Sequence, residues 1–311
     1  MDWRFSVHSV KRTDDRSATR RPVLTYCRFT MRPSFGGRAG GYQGMFDDHE
    51  ALTRARNAYA YAPLRLVRSE SAGAQAVLWD MPVEFAGPPE SQTSMFASWP
   101  SWDLDQHHAG LLRSQNDDDV LLGVASVTFW GFAQGRGGRL TTARALARAK
   151  NIAGLGQRKA DVASTIVDKV RTFSAHLDRG DQQAAIIEAM SLQHHGLAFA
   201  SKLLAFASPE AACVYDEVIS LRLGASDDDR LRALHVSTAG KHRLAEKASA
   251  FAGWAQLCAS KANDLNREGR TWLDWDGSER SWRAVDVERA YFGLGRPSAP
   301  SGELAVAERR A

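Results

Sequence analysis

No apolar run in the chain approaches the roughly 20 residues that a membrane-spanning helix needs, and no signal-type apolar segment follows its first residues. The expectation is a protein with no membrane partner, working in the cytoplasm. Cysteine is scarce: Cys27, Cys213 and Cys258 are odd in number and far apart. That argues against a disulfide framework or a cysteine zinc site and for a reducing compartment. Several motifs are missing too. There is no phosphate-binding Walker loop, no GxSxG elbow and no Cys–His constellation. Gly154-Leu155-Gly156 has no third glycine and no strand before it, so it is not a dinucleotide fingerprint. His194 and His195 are adjacent and lack the i,i+4 spacing of a helical zinc pair. Neither metal nor cofactor is expected.

What remains is a chain of 311 residues, 44% hydrophobic and 24% charged, long enough to bury a large core. Its net charge of +4 is uneven. Residues 1–70 hold thirteen Lys or Arg against seven Asp or Glu, a balance of +6, so the rest sums to −2. A basic N-terminal segment can contact phosphates. The plain alternative is an Arg-rich leader, or a true start at Met31 or Met45.

Residues 1–60 lack sustained periodicity and contain GGRAGGYQG, which reads as a flexible basic extension. Residues 61–119 read as irregular or short-strand chain packing on the core, with APLRLVRS and QAVLWDMPVEF as the strand candidates and 86–119 as loop. Val120–Leu140 opens with an apolar run that fits a helix or a buried strand equally well, preceded by Asp117-Asp118-Asp119 where a helix can begin. Beyond Arg139 the pattern is helical. Val162, Ile166, Val170, Phe173 and Leu177 form one stripe that Gly180 closes, and Asp181 can cap the helix that follows. Leu244, Ala248, Phe251, Ala255, Cys258, Ala262 and Leu265 mark a long helix over 241–266, and RAVDVERAYFG a short one over 283–293. No strand is expected after 140, and 296–311 reads as a tail. The fold class is mainly α, with a helical domain over 120–295.

The chemistry concentrates in Ser191–Gly224. Lys202 opens an apolar helical run, LAFASKLLAF, where desolvation favours the neutral amine that a nucleophile needs. A lysine snorkelling from an amphipathic helix is the ordinary alternative. Ser208-Pro209-Glu210 reads as a break with a helical turn after it. Asp216 follows, placed to cap a helix from Glu217 while keeping one oxygen for a neighbour. Upstream, Trp130-Gly131-Phe132-Ala133-Gln134 runs into a glycine-rich basic loop ending at Arg139. Aromatics beside such a loop can stack a base and hold a phosphate; core aromatics before a surface turn are the plainer reading.

The lysine, the aspartate downstream and the aromatic segment upstream resemble the helix–hairpin–helix DNA glycosylases. The closest likeness is to bacterial proteins described as having an 8-oxoguanine DNA glycosylase fold, some of them associated with CBASS antiviral operons. The resembling pieces are SVTFWGFAQGRGGRLTTARAL (126–146), GLAFASKLLAFASPEAACVYDEVISLRLG (196–224) and WRAVDVERAYFG (282–293).

The resemblance implies a helix–hairpin–helix helical domain and a glycosylase with lyase activity on an oxidised or modified purine. Lys202 would attack the sugar C1′ and form a Schiff base, and Asp216 would stabilise the positive charge at the sugar. Trp130, Phe132 and Gln134 would contact a flipped-out base. Arg139, Gly196 and Ser201 complete the substrate-binding candidates. The implied partners are DNA or a modified purine base, and proteins of a defence operon. The family's hairpin carries glycines where this chain has Ala198 and Ala200, and its Lys-to-Asp interval is longer than fourteen residues. Those departures favour an alternative: the same fold recognising a guanine-like base in antiviral defence, without repair of duplex DNA. A second alternative is a non-enzymatic nucleic-acid-binding module that uses the basic N-terminus.

Overall fold

Residues 46–59, 64–70, 74–87, 101–133, 141–156 and 159–294 are described by the computed structural model, and all of them belong to the unit Gly40–Ala311. Helix α1 (His49–Asn57) precedes three short strands, β1 (Arg65–Arg68), β2 (Ala76–Leu78) and β3 (Met81–Ala86). Next come α2 (Ser101–Leu112), α3 (Asp117–Ala133), α4 (Thr142–Ile152), α5 (Ala163–Asp178), α6 (Gln182–Ser191) and α7 (Leu197–Ala207). Then follow α8 (Glu217–Gly224), a single turn α9 (Asp229–Arg232) and the long α10 (Leu244–Arg267). A small hairpin, β4 (Trp272–Leu273) and β5 (Glu279–Arg280), leads into α11 (Ala284–Gly293). The protein is mainly α-helical.

The ambiguous apolar run is a helix, and its surroundings explain the ambiguity. Every residue from Val120 to Trp130 is buried, because β1, α2, α4, α5 and α7 all pack on α3. A helix covered on all sides has no polar face to set a period. Asp117, Asp118 and Asp119 occupy its first turn, where carboxylates offset the helix dipole. The later amphipathic helices follow their stripes. Ile166, Val170, Phe173 and Leu177 are buried on α5, while Val162 is its exposed N-cap. Gly180 ends that helix with φ +75°, and the Asp181 side chain accepts from the Ala184 N–H at the start of α6.

Three stretches differ from the sequence reading. Residues 49–57, within the segment read as an extension, form α1, capped by Asp48 and held by packing against α11. Residues 101–112, read as loop, form α2; its apolar stripe is weak because its buried positions include Asp105 and His108. Its start is capped from far away, since Asp274 accepts from the N–H groups of Ser101 and Trp102 at 3.0 Å each. After α7, Ser208–Ala212 makes the single turn read at the break, and the chain then runs without regular structure to Asp216. The β4–β5 hairpin lies where no strand was expected, paired over only two residues.

The strand candidates read within 62–85 form an antiparallel sheet in the order β1-β3-β2. Its β2–β3 turn is Trp79-Asp80, both with positive φ, as a two-residue hairpin requires. The sheet is fixed to α3 by the Leu66 N–H, which donates to Ser126 Oγ at 2.9 Å.

A buried ion network ties α1, α2 and α11 together. Asp286 Oδ1 accepts from Arg56 Nε and Nη2 at 3.0 and 2.8 Å, and its Oδ2 from Arg283 Nε at 2.7 Å. Arg283 and Arg289 both donate to Asp105 Oδ2, at 2.7 and 2.8 Å, and Arg289 donates to Oδ1 at 2.6 Å. Burial alone would push the Asp286 carboxyl up, but Arg283 and Arg56 hold it down at about 2. The network sets the depth and rotation of α11, and with it the carboxyl of Glu288.

Candidate active site

Helix α6, the connection Leu192–Gly196 and helix α7 form a helix, a tight turn and a second helix packed on the first. His194 takes φ 65° in that turn, and Gly196 is the N-cap of α7 with its carbonyl accepting from the Phe199 and Ala200 N–H groups. Lys202 is therefore the sixth residue of α7, one and a half turns from its start, and does not open the helix. Ala198 and Ala200 lie within the helix, and Ala200 is fully buried.

The Lys202 side chain is 11% exposed. Its Nζ donates to the Ala198 carbonyl at 3.3 Å, sits 5.4 Å from the centre of the Phe199 ring, and lies 3.9 Å from Asp216 Oδ2. Asp216 is the N-cap of α8: its Oδ1 accepts from the Val218 and Ile219 N–H groups at 2.9 and 3.0 Å. One oxygen is thus spent on the helix while the other faces the amine. Ser201 supplies the local reason for this approach. It is fully buried, and the Tyr215 N–H donates to its Oγ at 2.9 Å, which pins the chain before Asp216 to α7. Gly131 supplies the second: a Cβ there would stand 2.7 Å from Phe199 Cε1 and 3.3 Å from Lys202 Cδ, so glycine lets α3 come close to both.

Lys202 and Asp216 line one cavity, whose walls include Trp130, Phe206, Val214 and Phe292. The cavity volume is about 30 Å³. In this shape it accommodates water rather than a purine ring. Trp130 is nearly buried and meets Phe206 edge to face at 4.9 Å.

The other expected substrate contacts fall elsewhere. Phe132 stacks on Phe199 at 4.4 Å outside the cavity wall, with the guanidinium groups of Arg148 and Arg144 at 5.2 and 5.9 Å from its centre. Gly196 and Ser201 stand close to Lys202 in the chain but do not line the cavity. Gln134 and Arg139 lie outside the described residues. His194 is exposed and His195 buried, and among the described residues no group of His, Cys, Asp or Glu is arranged to hold a metal ion. Cys213 and Cys258 are buried free thiols. Among the described residues no helix is long and apolar enough to cross a membrane.

Sequence reasoning missed three polar groups of the wall: Tyr59 from the end of α1, and Glu288 and Arg289 from α11. Glu288 is 4% exposed. Burial, reinforced by the neighbouring Asp216, pushes its carboxyl up to about 8, against the pull of Arg289, Lys202 and the Val214 N–H. It is therefore protonated at neutral pH. Burial likewise raises the Tyr59 phenol. The signal was present in AVDVERAYFG, where three charged residues sit in a helix whose other members are nearly all apolar. The ion network engages Asp286 and Arg289, and Glu288 stands beside Arg289 on the cavity wall.

No family model, curated protein or solved structure matches this chain.

Proposed function

We propose that the protein is a DNA glycosylase/lyase that excises an oxidised or modified purine through the Lys202 amine. The observation that carries this reading is the Lys202–Asp216 pair in one cavity, 3.9 Å apart, with the carboxylate held by the start of α8. An amine beside a carboxylate, in a space walled by Trp130 and Phe206, suits attack at a sugar carbon that gains positive charge as its base departs. The helix–turn–helix of α6 and α7 supports the same reading, because it presents the amine from a rigid element. The cavity must widen at its aromatic wall to admit a purine.

On this reading Lys202 is the nucleophile and Asp216 the group that stabilises the sugar cation. DNA, or a nucleotide carrying the modified base, is the partner. The test is borohydride trapping on single-stranded and duplex oligonucleotides containing 8-oxoguanine, beside Lys202→Gln. A covalent adduct that vanishes in the variant is the expected result. A folded wild-type protein that forms no adduct on either substrate would sink the reading.

A second reading keeps the cavity but not the reaction: recognition of a guanine-like base, free or carried by a molecule other than duplex DNA, in antiviral defence with operon partners. The alanines at 198 and 200 favour it, since a backbone lined by methyl groups approaches a phosphate less closely than glycine does. Retention of a guanine-like base by the protein without any trapped adduct would select it. The non-enzymatic nucleic-acid-binding module is distinguished by binding that does not respond to Lys202→Gln.

A further inference from the structure

The cavity holds more acid than a lysine nucleophile and its counter-ion require. Asp216 is committed as an acceptor, with two N–H groups on one oxygen and the Lys202 ammonium facing the other. That arrangement suits it to electrostatic stabilisation and leaves it no proton to hand over. Breaking a purine from its sugar puts an electron pair on the base nitrogen, and a protonated group beside that nitrogen lowers the barrier. Glu288 lies on the same wall, 4% exposed and held rigidly one residue from Arg289, whose guanidinium is locked by two bonds to Asp105.

We propose that Glu288 is the general acid of this cavity: its carboxyl gives a proton to the departing purine and, as a carboxylate, takes one back from the Lys202 ammonium. The inference rests on the reading of Lys202 as the nucleophile. The C1′–N9 bond breaks with its electron pair going to the base. The Glu288 proton is transferred to that base, and the sugar becomes an oxocarbenium ion beside Asp216. The ammonium then passes one proton to Glu288, and the freed amine bonds to C1′. The C1′–O4′ bond opens with a proton moving from the nitrogen to O4′, which leaves a protonated Schiff base and a free neutral purine. Glu288 ends as it began.

The groups around Glu288 agree with this cycle. Asp216 at the start of α8 and the thiols Cys213 and Cys258 lie within electrostatic reach of it. Lys202 on α7, Tyr59 after α1 and Arg289 on α11 complete its surroundings. Burial and Asp216 oppose a negative charge there at rest, which keeps the acid loaded. Once the sugar carries a positive charge, the same position favours the carboxylate.

The decisive experiment compares two substrates with the whole chain: an oligonucleotide carrying 8-oxoguanine, and the same oligonucleotide carrying a preformed abasic aldehyde. The second has no base to protonate. In Glu288→Gln, the rate of base release relative to abasic trapping should fall about 100-fold, the lower end for loss of a general acid. Glu288→Asp should recover part of it. In the wild type, base release should decline above about pH 8, as Glu288 loses its proton, whereas abasic trapping should lack that limb.

Equal losses on both substrates would make Glu288 a structural residue and overturn the proposal, as would an unchanged ratio. Wild-type protein that fails to trap the abasic substrate would overturn the nucleophile reading itself, a different result from either of these.

Discussion

Asp216 does two jobs with two oxygens, and substitutions can separate them. Asparagine keeps a side-chain oxygen for the Val218 and Ile219 N–H groups but loses the charge opposite Lys202. Alanine loses both. Asp216→Ala should therefore lower stability by about 1 kcal/mol, and Asp216→Asn by no more than about a few tenths. Trapping on modified-purine DNA should fall steeply in both, since the missing charge is common to them. Denaturant melts alongside trapping assays check this. If Asp216→Asn traps like the wild type, the residue is only a helix cap.

At the scale of elements, the cavity depends on α11 keeping its rotation, and that depends on charges buried between helices. Asp105 on α2 accepts three hydrogen bonds from Arg283 and Arg289, and all three residues are buried. Removing it leaves the Arg289 guanidinium without its main acceptor and Arg283 with Asp286 alone, in a low-dielectric interior. Asp105→Ala should cost about 3–5 kcal/mol, read from the urea midpoint, because a broken buried ion cluster is far worse than an absent one. A loss of under about 1 kcal/mol would mean that water enters and the network does not hold α11.

This network also explains which elements the sequence revealed. Helices α5, α6 and α10 bury one stripe each, and that spacing, the Asp181 cap of α6 and the Gly180 that closes α5 are written locally. Helix α2 buries Asp105 and His108 and takes its cap from Asp274, more than 170 residues away, so no local signal marks it. The site divides in the same way. Lys202 and Asp216 were legible because they lie fourteen residues apart in one apolar stretch. Glu288 was not, since its part depends on which charges of α11 the arginines have already taken.

Across the whole molecule, charge is split between the parts of the chain. Residues 1–39 carry nine Lys or Arg against three Asp or Glu, while residues 40–311 carry 31 against 33. The unit that holds the cavity is thus slightly acidic, and a polyanionic substrate must be drawn to it by the basic segment or by local clusters such as Arg144 and Arg148 beside Phe132. A deletion that tests this has to stop at residue 39. Removing residues 1–60 would also take α1, leaving Asp286 without Arg56 and the cavity without Tyr59. With residues 1–39 removed, affinity for a single-stranded oligonucleotide should drop, and its dependence on salt should flatten by about 0.7 in log–log slope for each phosphate that is no longer neutralised. Trapping at saturating DNA should persist, because every described group of the cavity remains. An unchanged slope would assign phosphate binding to residues 40–311, and the arginines flanking the Phe132–Phe199 stack would then be the first to replace.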